Sequence, residues 1–199
     1  NDRTFADLLT HRSGFDVENL NGYSYLGYEA VRDVVAGGTT KRPAEGKRPR
    51  QYKNLNYALL RVVMAGLWAK TGDIKLAKEG DDLGIYKSMG DYNSALYTAY
   101  LQKHVFDPIS IANVQCYDEG AQATLYYKPG GGTPGVVAPN QSMFCGSGGL
   151  YLSSRELTKF FVYLFNTETL LPATGRQQMI DNRFALDGGN TDRGLSLLR

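Results

Sequence analysis

Leu55–Lys70 reads LNYALLRVVMAGLWAK, and its large apolar residues at 55, 59, 60, 63, 64, 67 and 68 recur at helical spacing. Gly72 closes the run, as a glycine past a helix end commonly does. Arg61 interrupts it, and the stretch is too short and too charged to span a bilayer. The run is therefore read as a helix with a broad apolar stripe.

Other elements follow from period and punctuation. Phe5, Leu8 and Leu9 predict a short helical turn that stops at the polar Thr10-His11-Arg12-Ser13-Gly14. Positions 28–35 have helical spacing and end at Gly37-Gly38. Asp91 is read as the N-cap of a helix whose apolar side carries Tyr92, Leu96, Tyr100 and Val105, and Phe106-Asp107-Pro108 should end it, because the residue before a proline avoids helical geometry. Ser153 or Ser154 caps a helix to about residue 165, and a last helix spans 173–180. Strand signals are sparse, with 122–128 the clearest. The expected architecture is mainly α with few short strands, one helix-rich region over 1–199. Within it, 73–90 reads as a loop insertion and 129–140 as a glycine- and proline-rich loop.

Composition narrows the partners. A net charge of +2 creates no global field toward nucleic acid, membrane or acidic partners. The stretch 41–50 holds five basic residues but no aromatics of the kind that stack on bases, so a solvated loop is the better reading and nucleic acid is not expected. The opening Asn1-Asp2-Arg3 has no signal-peptide pattern; an export signal would have been removed or would lie upstream. Cys116 and Cys145 define no metal site and can either pair with each other or stay as thiols.

Several motifs look chemical and have plainer readings. Gly130-Gly131-Gly132-Thr133-Pro134-Gly135 fits G-x-G-x-x-G in form, but Pro134 and Pro139 exclude the helix that a dinucleotide phosphate needs. Lys70-Thr71-Gly72 closes an apolar helix rather than edging a strand, and Gly146-Ser147-Gly148-Gly149 follows Cys145 where a nucleophile elbow would need glycine. His11 and His104 stand without carboxylates or thiols at ligand spacing. No cofactor or metal is expected.

Four segments in order carry a resemblance: Leu8-Leu9-Thr10-His11-Arg12-Ser13-Gly14; Tyr52-Lys53-Asn54 before Tyr57-Ala58-Leu59-Leu60; Phe106-Asp107-Pro108-Ile109-Ser110-Ile111; and Gly148-Gly149-Leu150-Tyr151-Leu152-Ser153-Ser154-Arg155-Glu156-Leu157. Together they resemble the serine hydrolases of the class C β-lactamase and D-alanyl-D-alanine carboxypeptidase family, which includes esterases. The resemblance implies the helical domain region of that α+β fold, without most of its sheet. It also implies an acyl-transfer site in which a serine of S-x-x-K attacks an amide, β-lactam or ester carbonyl, while a lysine and the Y-x-N tyrosine manage its proton. On that match Tyr52 is the general base or proton shuttle and Asn54 orients substrate and lysine. A free tyrosine titrates near about 10, so it serves as a base at neutral pH only where positive charge favours the phenolate.

The departures are as informative. No S-x-x-K occurs in this sequence, nor a late K-T-G or H-x-G, and Lys53 stands where the family has a small residue. Isolated, the chain is expected to be inert, its parent acting on a small-molecule or peptide-like substrate. The alternative is a non-catalytic binding or scaffold domain that keeps the fold. The resemblance implies a periplasmic or secreted location, and the oligomeric state stays open.

Overall fold

The computed structural model describes residues 4–15, 27–38, 51–116, 125, 127, 130, 134–137 and 140–181, together with the backbone of 184–185, 192–194 and 197–198. The described residues are mainly helical. Helix α1 (Phe5–Leu9) opens with a capping box, Asp7 N–H donating to Thr4 Oγ1 at 3.2 Å while the Asp7 carboxylate accepts from Thr4 N at 3.0 Å. Next come α2 (Tyr28–Gly37), α3 (Leu55–Lys70) and α4 (Met89–Leu101), the last running through one π turn (Gln102–Phe106) into a 3₁₀ turn (Asp107–Ile109). Pro108 sits inside that turn, where its ring tolerates the chain direction but cannot continue an α-helix. A 3₁₀ turn (Ser142–Phe144) precedes α5 (Ser154–Asn166) and α6 (Ala173–Asp181).

Among the described residues three short antiparallel strands follow α6, β1 (Phe184–Ala185), β2 (Asp192–Gly194) and β3 (Leu197–Leu198), in that order, with Arg193 opposite both Phe184 and Leu198. The sequence reading did not foresee them. The strand expected over 122–128 and much of the 129–140 loop, like the basic 41–50 stretch, lie outside the described residues.

Helix α3 is the hub, packing against α1, α2 and α4. Its buried face is Leu55, Ala58, Ala65 and Trp68 with the polar Asn56 and Arg61, so the stripe through 59, 60, 63, 64 and 67 is not the side most deeply buried. Leu67 is exposed. The correction has a physical cause: α3 is apolar almost all round, so period alone cannot select a face, and the small Ala58 and Ala65 are what allow neighbours close approach. Asp91 is likewise not the cap of α4. Ser88 is, its Oγ accepting from Asp91 N at 3.1 Å, because a serine three residues ahead of an acid forms the better N-cap.

Two apolar clusters result among the described residues. The first joins Leu8, Phe15, Val31, Val34, Leu55 and Ala58 beneath the N-terminal end of α3. The second joins Phe106, Ile109, Ile111 and Val114, covered by Leu152, Phe160, Tyr163 and Leu170. Complete burial of a side chain such as Leu55 or Ile109 stabilises by about 2 kcal/mol. Cys116 and Cys145, both buried, form a disulfide that staples the end of the second cluster to the turn behind α3.

Candidate active site

The site is built where α3 begins. The loop after α1 turns sharply: Thr10 Oγ1 donates to the Ala6 carbonyl at 2.6 Å, and His11 adopts a left-handed φ of 57°. That turn brings His11 beside 51–54. Its carbonyl accepts from Gln51 N at 2.9 Å, and its Nδ1 accepts from Lys53 N at 3.2 Å. Beneath it, Ser13 Oγ donates to Asn56 Oδ1 at 2.5 Å, and the Asn56 amide nitrogen faces His11 Nδ1 at 3.2 Å. Tyr57 completes the layer, its hydroxyl donating to the Leu9 carbonyl at 3.1 Å and its ring lying 5.2 Å from the His11 ring.

On this platform Tyr52 is 63% exposed, its ring centroid 4.6 Å from that of His11. The Tyr52 hydroxyl donates to Asn54 Oδ1 at 2.9 Å, so the two residues singled out by the Y-x-N match meet each other. Asn54 precedes α3, yet its side chain makes no capping bond; with φ −59° and ψ −26° its backbone is already helical, and its amide is left to the tyrosine. The pair therefore does not cap α3 through its side chains. Lys53 does not face Tyr52's hydroxyl: its Nζ donates to the Phe15 carbonyl at 2.5 Å.

Further along α3, Arg61 is wholly buried, Nη1 donating to the Ser142 and Met143 carbonyls at 3.0 and 2.7 Å. Burial lowers its guanidinium to about 10, against smaller favourable effects from Tyr97 and Glu29, while the Tyr97 phenol is pushed up, chiefly by its own burial. The following turn is glycine by necessity. Gly146 has φ 96°, and a Cβ there would stand 2.7 Å from the Tyr57 carbonyl oxygen. Ser147 is used inside this turn, its Oγ donating to the Phe144 carbonyl at 2.9 Å. Lys70-Thr71-Gly72 is the end of α3, where Thr71 Oγ1 donates to the Trp68 carbonyl at 2.7 Å.

Sequence reasoning missed the supporting pair Ser13 and Asn56 and the Lys53 tether. Ser13 lies within the L-L-T-H-R-S-G segment, but no spacing rule says that it meets a residue 43 positions later. A groove of about 440 Å3 runs along α4 to the Cys116–Cys145 disulfide, past Ser94, Thr98 and Asn113; neither Tyr52 nor Asn54 lines it. Among the described residues no cluster of three or more His, Cys, Asp or Glu could hold a metal, and no helix is long and apolar enough to cross a membrane.

Comparison with known proteins bears on this arrangement. A family model described as Beta-lactamase matches residues 1–193. A putative penicillin-binding protein, PbpX, of Bacillus subtilis (strain 168) is 22% identical over 161 residues, which is 79% of this chain and 34% of that protein. The D-amino acid amidase from Ochrobactrum anthropi SV3, solved with L-phenylalanine amide, superposes with a TM-score of 0.56 at 22% identity, over 98% of this chain and 53% of its own. A D-stereospecific amidohydrolase from Streptomyces sp. superposes with 0.59 at 16% identity, over 98% and 56%. The chain thus spans about a third of the curated relative and about half of the solved structures. At these identities the superpositions establish the fold.

Proposed function

Because this chain belongs to the β-lactamase family, we propose that it forms the helical part of a serine hydrolase that cleaves an amide, β-lactam or ester through an acyl-enzyme. The observation that carries the reading is the exposed Tyr52 hydroxyl, held on Asn54 above a buried polar platform. An exposed phenol so fixed is placed to exchange a proton with a partner group that approaches from outside these residues.

The proton economy assigns the roles. A serine hydroxyl attacks the substrate carbonyl and gives up its proton to the lysine and tyrosine pair; the tetrahedral adduct expels the amine or alcohol, which takes that proton from Tyr52. Water then repeats the sequence on the acyl-enzyme and frees the serine. Asn54 holds the Tyr52 hydroxyl by its Oδ1 and keeps its amide N–H groups for substrate. Lys53 is committed to the Phe15 carbonyl, so the cation that favours the phenolate has to be the S-x-x-K lysine, and neither it nor its serine is in this sequence. The chain alone is therefore inert.

The substrate class is an amino-acid amide, a reading supported by the likeness to the D-amino acid amidase, which was solved with L-phenylalanine amide. A periplasmic or secreted location is supported by the Cys116–Cys145 disulfide, which persists in oxidising compartments. The second reading is a scaffold that keeps the fold without the chemistry, which a longer form lacking S-x-x-K would favour. One experiment separates the two. In a longer form of the protein that supplies an S-x-x-K segment, Tyr52→Phe should lower kcat by about 10² or more; an unchanged kcat removes Tyr52 from the chemistry, and no turnover by any longer form favours the scaffold.

A further inference from the structure

His11 holds the chain on both sides of Tyr52. Its backbone carbonyl accepts from Gln51 N at 2.9 Å, its Nδ1 accepts from Lys53 N at 3.2 Å, and its ring lies 4.6 Å from the Tyr52 ring. A backbone N–H can only donate, so Nδ1 carries the lone pair. The second approach agrees. Ser13 Oγ donates to Asn56 Oδ1 at 2.5 Å, which turns the Asn56 amide nitrogen, another donor, toward the same Nδ1. His11 is thus a neutral imidazole with its proton on Nε2.

The backbone adds to this. His11 is one of three non-glycine residues with positive φ among those described, a conformation that costs on the order of 1 kcal/mol or more and persists only where its surroundings hold it. Here the surroundings are the residues flanking Tyr52. We propose that His11 is the positioning residue for Tyr52: its carbonyl and its Nδ1 fix the two neighbours of the tyrosine, and its ring backs the phenol so that the hydroxyl stays on Asn54. The proposal rests on the reading of Tyr52 as the proton shuttle, but its test needs no turnover and so stands or falls separately.

The test is nuclear magnetic resonance on the 199-residue chain. A coupling across the N–H···N bond should join the Lys53 amide nitrogen to His11 Nδ1, with the ring proton on Nε2; a proton on Nδ1 overturns the proposal. His11→Ala should speed Lys53 amide exchange about tenfold, the order expected for the loss of one hydrogen bond, and shift the Tyr52 ring signals. His11→Asn tolerates a left-handed φ and puts an oxygen where Nδ1 stood, so it should restore the Lys53 protection and the Tyr52–Asn54 contact. If His11→Ala lowers the melting midpoint yet leaves Lys53 exchange and the Tyr52 ring signals unchanged, His11 is merely structural and the proposal fails. Should neither variant fold, the coupling in the unsubstituted chain decides.

Discussion

The N-terminal end of α3 and the 106–114 segment each rest on an apolar cluster, but the first adds polar links across long stretches of chain. Around the candidate site, polar groups reach across long stretches of chain: Ser13 to Asn56, His11 to Lys53, Lys53 to Phe15, Tyr57 to Leu9. In the second region Phe106, Ile109, Ile111 and Val114 pack against Leu152, Phe160, Tyr163 and Leu170, and Lys159 Nζ donating to the Ser110 carbonyl at 3.1 Å links α5 to the segment. Apolar contact is strong in sum and indifferent to direction; a hydrogen bond contributes less and fixes an angle. The first region adds directed polar links around Tyr52 to its apolar base, and the second relies chiefly on apolar packing.

Substitutions can separate the two. The largest effect should come from the staple between them: replacing Cys116 and Cys145 together by serine, at a sequence separation of 29, should cost about 3–4 kcal/mol by loop-closure entropy, read from chemical denaturation. Ile109→Ala should cost about 3 kcal/mol and leave the Tyr52 ring signals where they are; movement of those signals would mean that the regions are coupled. Ser13→Ala should cost less, about 1–2 kcal/mol, because it strands the buried Asn56 oxygen, yet it should shift Tyr52.

The smallest effect lies at the start of α5. Glu156 accepts from the Ser153 backbone N–H and hydroxyl, which lower its pKa below the usual 4.5. A carboxyl with a depressed folded pKa contributes stability that is present above its unfolded value and lost as pH falls through the folded one. Acidification below about 4.5 should therefore loosen this cap, by an amount that solvent screening keeps small. Ser153→Ala should cost about 1 kcal/mol at neutral pH and abolish that pH dependence.

Much of the fold is legible in the sequence because the signals are local. The bounds of α3 follow from its apolar run and Gly72, and the start of α5 from Ser153 or Ser154, of which the capping box with Glu156 selects Ser153. The order of four short motifs is enough to identify the family, which a match over 1–193 shows. What stays hidden depends on contacts far apart in the chain. No periodicity could say that Ala58 and Arg61, rather than Leu59 and Leu60, face inward, since that choice is made by α1, α4 and the 142–144 turn. Two cysteines 29 positions apart carry no geometry until the fold sets their Cα atoms 5.9 Å apart. The tether of Lys53 to Phe15 is invisible for the same reason.

On the proposed function, these residues carry the tyrosine side of an acyl-transfer site and not its nucleophile. The most direct test is the intact mass of the pure chain after treatment with a fluorophosphonate and, separately, with a penicillin. An unmodified mass in both is the predicted result. A single stoichiometric adduct would contradict it, place the nucleophile on a serine within this chain, Ser147 first among them, and undo the assignment of Tyr52.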